Sequence, residues 1–141
     1  MSNTTRSNKS LATDSAENSQ DHAQELGKKG EELVAAYLRK EGFIILATNY
    51  ATRRGEVDII AQRGEVLAFV EVKTRKKTYF PINQVVTATK QQRIALAALD
   101  YAQRKGIQNK VLRFDVATVE YTQTTQSLNY IPNAFQHRRS C

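Results

Sequence analysis

Residues 55–75, GEVDIIAQRGEVLAFVEVKTR, decide how this chain folds. They read as two strands joined by a tight turn. In the first, Glu56 to Ala61, the residues Val57, Ile59 and Ala61 alternate with Glu56, Asp58 and Ile60. In the second, Leu67 to Lys73, Ala68, Val70 and Val72 face one way and Leu67, Phe69, Glu71 and Lys73 the other. Period-two alternation with β-branched residues is the strand pattern, and Arg63-Gly64 between the runs supplies the turn.

The polar residues of this hairpin carry the chemistry. A two-residue turn that pairs Gln62 with Glu65 puts Asp58 opposite Phe69 and diagonal to Glu71, whereas a four-residue loop puts Asp58 directly opposite Glu71. Both registers leave Asp58, Glu71 and Lys73 on one face, because cross-strand partners share a face, with Cβ atoms about 5 Å apart when opposed and about 7–8 Å when diagonal. At either spacing the two carboxylates can reach one divalent cation, and Lys73 stands one pleat from Glu71. Such groups in apolar strands are costly unless paired or bound to metal. An ordinary hairpin with a solvated face and a Glu–Lys pair fits the same residues, so the flanking sequence has to choose.

The chain has 141 residues, 40% hydrophobic and 25% charged, which predicts one globular domain with a substantial core. No apolar run reaches the roughly 20 residues of a membrane span, and no basic segment followed by an apolar one opens the chain. Cys141 is the sole cysteine, which excludes a disulfide framework or a cysteine zinc site within one chain. A cytoplasmic protein with no membrane partner is expected. The net charge is +7. Residues 1–22 hold two basic and three acidic side chains, so a charge of +8 belongs to the remainder. Arg53 and Arg54 precede the first strand of the hairpin, and Arg75, Lys76 and Lys77 follow the second. A basic face beside an acidic pocket fits a polyanion whose phosphates need a metal, although it also fits a merely solvated surface.

Residues 1–22 are polar and nearly free of apolar side chains, which predicts a disordered tail ahead of a single domain over residues 23–141. Gln24 to Glu41 has helical spacing, with Leu26, Gly30, Leu33, Val34, Tyr37 and Leu38 along one side, Glu31 at the stripe's edge and Gly42 as the stop. Gly27 and Gly30 in its middle point to close packing or to approach of a ligand. Phe43 to Tyr50 reads as a strand. Lys76 to Asn83 reads as a loop, with Tyr79, Phe80 and Pro81 among lysines. Thr87 to Lys105 reads as a second helix packed through Ile94, Ala97, Ala98 and Tyr101. Its first turn carries Lys90 and Gln91, near the positive end of the helix dipole. Val111 to Glu120 is a further strand, and Leu128 to Phe135 a short strand or extended tail interrupted by Pro132. The order helix, three strands, helix, one or two strands predicts an α/β fold with a mixed sheet flanked by helices.

A helix bearing a glutamate, a strand with Asp, a strand with Glu-x-Lys and then a helix resemble the PD-(D/E)xK nuclease superfamily. More closely, Gly30-Glu31, Asn49-Tyr50, Gly55 to Ile60 (GEVDII), Phe69 to Arg75 (FVEVKTR), Lys90 to Ile94 (KQQRI) and Arg113 to Val116 (RFDV) resemble the YraN-like family. These are small bacterial proteins similar to archaeal Holliday junction resolvases. Val57 stands where the superfamily signature has proline. The resemblance covers roughly Ala23 to Phe135 and implies a restriction-endonuclease-like fold. It implies that Asp58 and Glu71 bind Mg²⁺, with Mn²⁺ able to substitute. Lys73 would orient or help deprotonate the attacking water, and Glu31 would act through the metal's outer shell or as a further ligand. Lys90 or Gln91 would touch phosphate or the nucleophilic water, and Glu56 ranks below these. Three functions compete: an endonuclease for branched or damaged DNA, a non-catalytic nucleic-acid-binding module, and a protein-interaction subunit. Symmetric cutting of two strands needs two sites, which predicts a homodimer, with Leu128 to Phe135 as its candidate interface or else as an edge strand of the same domain.

Overall fold

A computed structural model describes residues 10–76 and 86–137, with side chains from residue 19 onward. Helix α1 (Ser10–Lys40) leads into strands β1 (Ile44–Ala51), β2 (Glu56–Arg63) and β3 (Val66–Lys76). Helix α2 (Ala88–Arg104), β4 (Val111–Tyr121) and β5 (Gln126–Phe135) follow. The strands form one sheet in the order β1-β2-β3-β4-β5. Only β3 and β4 run parallel, joined through α2, and every other neighbouring pair is antiparallel. This is the mixed α/β architecture expected from the sequence.

Each face of the sheet is covered by one helix. Ile60, Leu67, Phe69, Phe114 and Val116 pack with Ile94, Ala95, Ala98 and Tyr101 of α2. Ile59, Ala61, Ala68, Val70, Ala117 and Val119 pack with Val34, Ala35 and Leu38 of α1. Phe69, Ile59, Ile60, Leu67 and Val70 are fully buried, so β2 and β3 are apolar on both faces, as central strands must be.

Five details differ from the sequence reading. Val57 packs with Ile60 on the α2 face and not with Ile59 and Ala61 on the α1 face, so the strict alternation read for the first strand breaks beside Asp58. Helix α1 begins at Ser10, so residues 10–22 are helical rather than a disordered tail, and residues 1–9 lie outside the described residues. Leu11, Ala12, Ala16, Glu17 and Gln20 are good helix formers, and extending a helix nucleated elsewhere costs little. Arg63 pairs with Val66, so the turn is Gly64-Glu65, one residue later than expected. Gly64, at φ +59, meets the need of a two-residue hairpin for positive φ at the first central position. Gly27 faces open space, whereas a Cβ on Gly30 would lie 1.9 Å from Thr74 Oγ1, so close packing explains only the second glycine. Finally, residues 126–135 are strand throughout and complete the sheet at its edge. Pro132 is tolerated there because β5 bulges opposite Asp115, where the register shifts between Phe114 and Val116.

Candidate metal centre and basic rim

The hairpin register decides the site. Gln62 pairs with Leu67, the register of the two that brings the carboxylates closer, and the ladder runs as far as Ile59 and Val70. Asp58 and Glu71 are the next residue on each strand, just beyond its last pair. Asp58 Oδ2 accepts a hydrogen bond from the Val72 N–H at 2.8 Å, which fixes this carboxylate against the neighbouring strand.

Glu71 is 2% exposed, although it is a carboxylate. Its Oε1 lies 3.2 Å from Lys90 Nζ of α2 and 3.5 Å from Lys73 Nζ of its own strand. Its Oε2 is buried and has no hydrogen-bond partner. A buried carboxylate oxygen without a donor is the kind of ligand that a hard cation suits, since such an oxygen otherwise forfeits its hydration. Burial, and then the charge of Asp58, push the Glu71 carboxyl up to about 7, against the pull of Lys90 and Lys73.

Glu31 approaches from α1. Its Oε2 accepts from Asn49 Nδ2 at 3.2 Å, and burial followed by the Asp58 charge raises its carboxyl. Asp58 thus acts electrostatically on both Glu31 and Glu71. Among the described residues, however, no three His, Cys, Asp or Glu side chains gather closely enough to hold a metal by themselves. Asp58 and Glu71 are the two carboxylates that could hold a divalent ion here, and water or phosphate oxygens would have to complete its shell.

The remaining candidates divide. Lys90 is in the cluster. Gln91 donates its side-chain N–H to the Val86 carbonyl at 3.1 Å, so that half of its amide serves the lead-in to α2. Glu56 pairs with Ala51 at the start of β2, is exposed, and takes no part in the Glu71 cluster among the described residues. Arg75 is half-buried and Lys76 exposed at the end of β3, and Lys77 lies outside the described residues, as do Tyr79, Phe80 and Pro81. Arg53 and Arg54 are exposed and line a groove of about 490 Å³ with Thr52, Asp100, Gln103 and Arg104. The turn that carries these arginines packs tightly on α2, because a Cβ on Gly55 would lie only 1.8 Å from the Arg93 carbonyl oxygen.

Two residues of consequence escaped the sequence reading. Asn49 adopts φ +51 within β1, a conformation that asparagine tolerates, and its amide binds Glu31. Its only signal was its place in the Asn49-Tyr50 motif. Asp115 is fully buried on the α1 face. It takes two-pronged bonds from Arg113, the Tyr130 hydroxyl at 2.5 Å and the Asn133 N–H at 2.8 Å. The last of these groups is freed by the β5 bulge, so Asp115 satisfies a donor that the ladder cannot. Burial and then Asp115 raise the Tyr130 hydroxyl, which stays protonated and donating.

The Glu71 shift has a measurable sign. Its folded-state carboxyl titrates near 7, above the ordinary 4.5, so it favours the folded state fully only at pH values below the ordinary one. That contribution, about 3 kcal/mol, is lost as pH rises through about 7. In EDTA, Glu71→Gln should therefore gain stability relative to wild type by this amount between pH 4 and 8, as read by urea denaturation. Parallel pH profiles for the two proteins would remove the buried-carboxylate account.

A five-stranded mixed sheet with a helix on each face, and a carboxylate hairpin at its centre, defines an α/β protein of restriction-endonuclease-like fold. The model of a family described as "Uncharacterised protein family UPF0102" matches residues 30–119, a span that runs from the Gly30-Glu31 pair through β4. Similar bacterial proteins carry the name UPF0102 protein. One from Alkaliphilus metalliredigens is 44% identical over 114 residues, covering 80% of this chain and 99% of the relative. One from Dictyoglomus turgidum is 41% identical over 116 residues, with 79% and 98% covered. One from Geobacter metallireducens is 38% identical over 116 residues, with 82% and 95% covered. The chain belongs to the UPF0102 family, the YraN-like group that its motifs resemble. No helix among the described residues is long and apolar enough to cross a membrane.

Proposed function

We propose that this protein is a divalent-metal-dependent DNA endonuclease of the PD-(D/E)xK type, acting on branched or damaged DNA in repair or recombination. The observation that carries the reading is Glu71, a buried carboxylate set across a hairpin from Asp58, with a lysine two residues on and one oxygen unpartnered. Asp58 and Glu71 hold Mg²⁺ or Mn²⁺. When bound, the ion supplies positive charge against the phosphate and makes water more acidic. Lys73, already beside Glu71, orients the attacking water, assists its deprotonation and stabilises charge on the phosphate oxygens. Glu31, steered by Asn49, acts from outside the ligand pair. The test is incubation of end-labelled single-stranded, duplex, flapped and four-way DNA with Mg²⁺ or Mn²⁺. Cleavage that disappears in EDTA supports the reading, and intact DNA under every condition defeats it.

The basic rim accounts for substrate class. Arg53, Arg54, Arg75 and Lys76 flank the hairpin where a phosphate backbone would pass, and a charge of +8 outside residues 1–22 favours a polyanion. The logarithm of DNA affinity should then fall linearly with the logarithm of salt. Arg53→Gln, Arg54→Gln and Arg75→Gln should each lower that slope by about one. Affinity indifferent to salt would remove nucleic acid as the partner.

A second site for symmetric cutting would come from a homodimer. The outer edge of β5 is unpaired within the sheet and is the candidate interface. Sedimentation at micromolar concentration should give the dimer, and a monomer that cuts all DNA forms equally would end this part of the proposal.

A non-catalytic nucleic-acid-binding module is the second reading, favoured by the lack of a three-residue ligand cluster among the described residues. It predicts salt-dependent binding without cleavage.

A further inference from the structure

The two lysines at Glu71 are not equivalent. Lys73 belongs to the same strand, two residues on, and shares the face by strand geometry whatever the state of the site. Lys90 reaches the same oxygen from the first turn of α2, across the gap between helix and sheet. It is nonetheless the closer of the two, at 3.2 Å against 3.5 Å. Its backbone is held independently of that contact, because its N–H donates to Oγ1 of the N-cap residue Thr87. Only the flexible four-carbon stem therefore commits the ammonium to Glu71, and the side chain is 32% exposed, with solvent to swing into.

Glu71, buried as it is, needs a cationic neighbour in the metal-free protein, since removing one partner of a buried pair is strongly unfavourable. A divalent ion at Asp58 and Glu71 would bring a third cation to the carboxylate that Lys90 and Lys73 already share. Lys90 and the ion cannot both keep it without repulsion in a poorly solvated site.

We infer that Lys90 is a built-in counter-ion that holds Glu71 until the metal arrives, then releases it and swings to the DNA phosphate, so that metal and DNA binding reinforce each other through this one side chain. The inference rests on the assignment of Asp58 and Glu71 as metal ligands. The released ammonium stays at the N-terminal turn of α2, where a phosphate is favoured by the free N–H groups and the helix dipole. Coupling of two ligands is reciprocal, so DNA should tighten metal binding by the same factor that metal tightens DNA binding.

The first test uses the unmutated chain, so it does not depend on a variant folding. Limited acetylation followed by mass spectrometry should find Lys90 several-fold more reactive once Mg²⁺ is added, with Lys28 and Lys110 unchanged. The second compares Lys90→Met with wild type by calorimetry and thermal melting. The variant should bind Mg²⁺ about tenfold more tightly, within the range usual for coupled sites, yet melt at a lower temperature in EDTA. Its gain in DNA affinity on adding Mg²⁺ should shrink. A general charge effect, without the contact, would raise Mg²⁺ affinity but leave the EDTA melting temperature and the acetylation pattern alone, and that result overturns the inference. If wild type binds Mg²⁺ and Lys90 reactivity does not change, the inference falls while the metal assignment stands. If wild type takes up no Mg²⁺ at all, both fall.

Discussion

Lys73→Ala is expected to slow Mg²⁺-dependent strand cleavage by about 10²- to 10⁴-fold, the usual worth of a positioned proton-transfer or charge-stabilising group. That is roughly 3–5 kcal/mol of transition-state stabilisation. The substitution removes a cation 3.5 Å from Glu71 and leaves both carboxylates in place. Mg²⁺ affinity should therefore persist or rise, which separates this variant from Asp58→Asn and Glu71→Gln, where metal binding itself should weaken. Single-turnover cleavage of a labelled junction, with calorimetry on the same preparations, makes the comparison. Cleavage within a few-fold of wild type would take Lys73 out of the chemistry.

Asp115→Ala should cost about 3–5 kcal/mol of folding stability, because it strands a guanidinium and two further donors in a buried place. Arg113 is half-buried, Asp115 is fully buried, and the Asn133 N–H has no ladder partner to return to. The cluster sits on the α1 face, beside the contact between the Tyr37 and Tyr130 rings, whereas Glu71 meets Lys90 on the α2 face. Mg²⁺ affinity of whatever fraction remains folded should thus be unchanged. Urea denaturation gives the stability, and a cycle with Arg113→Met gives the pairwise coupling. An Asp115→Ala protein that melts like wild type but fails to cleave would move Asp115 from scaffold to site.

The contrast between these two aspartates explains what the sequence could and could not reveal. Asp58 and Glu71 sit in one hairpin, so the sequence could bring them together, although the break in alternation between Val57 and Ile60 beside Asp58 was not legible there. The sequence could not choose between registers because Gly64 serves either an Arg63-Gly64 or a Gly64-Glu65 turn, and the choice depends on pairing beyond the turn itself. Lys90 was legible as a basic residue at a helix start, but its pairing with Glu71 depends on how α2 crosses the sheet. Asp115 was less accessible still. Arg113-x-Asp115 looks like ordinary strand alternation, and its other partners come from β5, whose bulge has no local signature except Pro132. The helical run of residues 10–22 was hidden because polar composition reports solubility of a segment and not its backbone state.

The position of β3 has a consequence for the newborn chain. Val66 to Val70 pair with β2 along one edge, and all eleven residues pair with β4, from Val111 to Tyr121, along the other. Synthesis runs from the N-terminus, so the hairpin carrying Asp58, Glu71 and Lys73 leaves the ribosome well before β4 exists to seal it. Until then the run Val66 to Val72 (VLAFVEV) offers an open edge with apolar side chains on both faces, the kind of segment that recruits other strands. Glu71 is the one charge in that run, and it interrupts the segment during the interval in which the nascent chain is most prone to self-association.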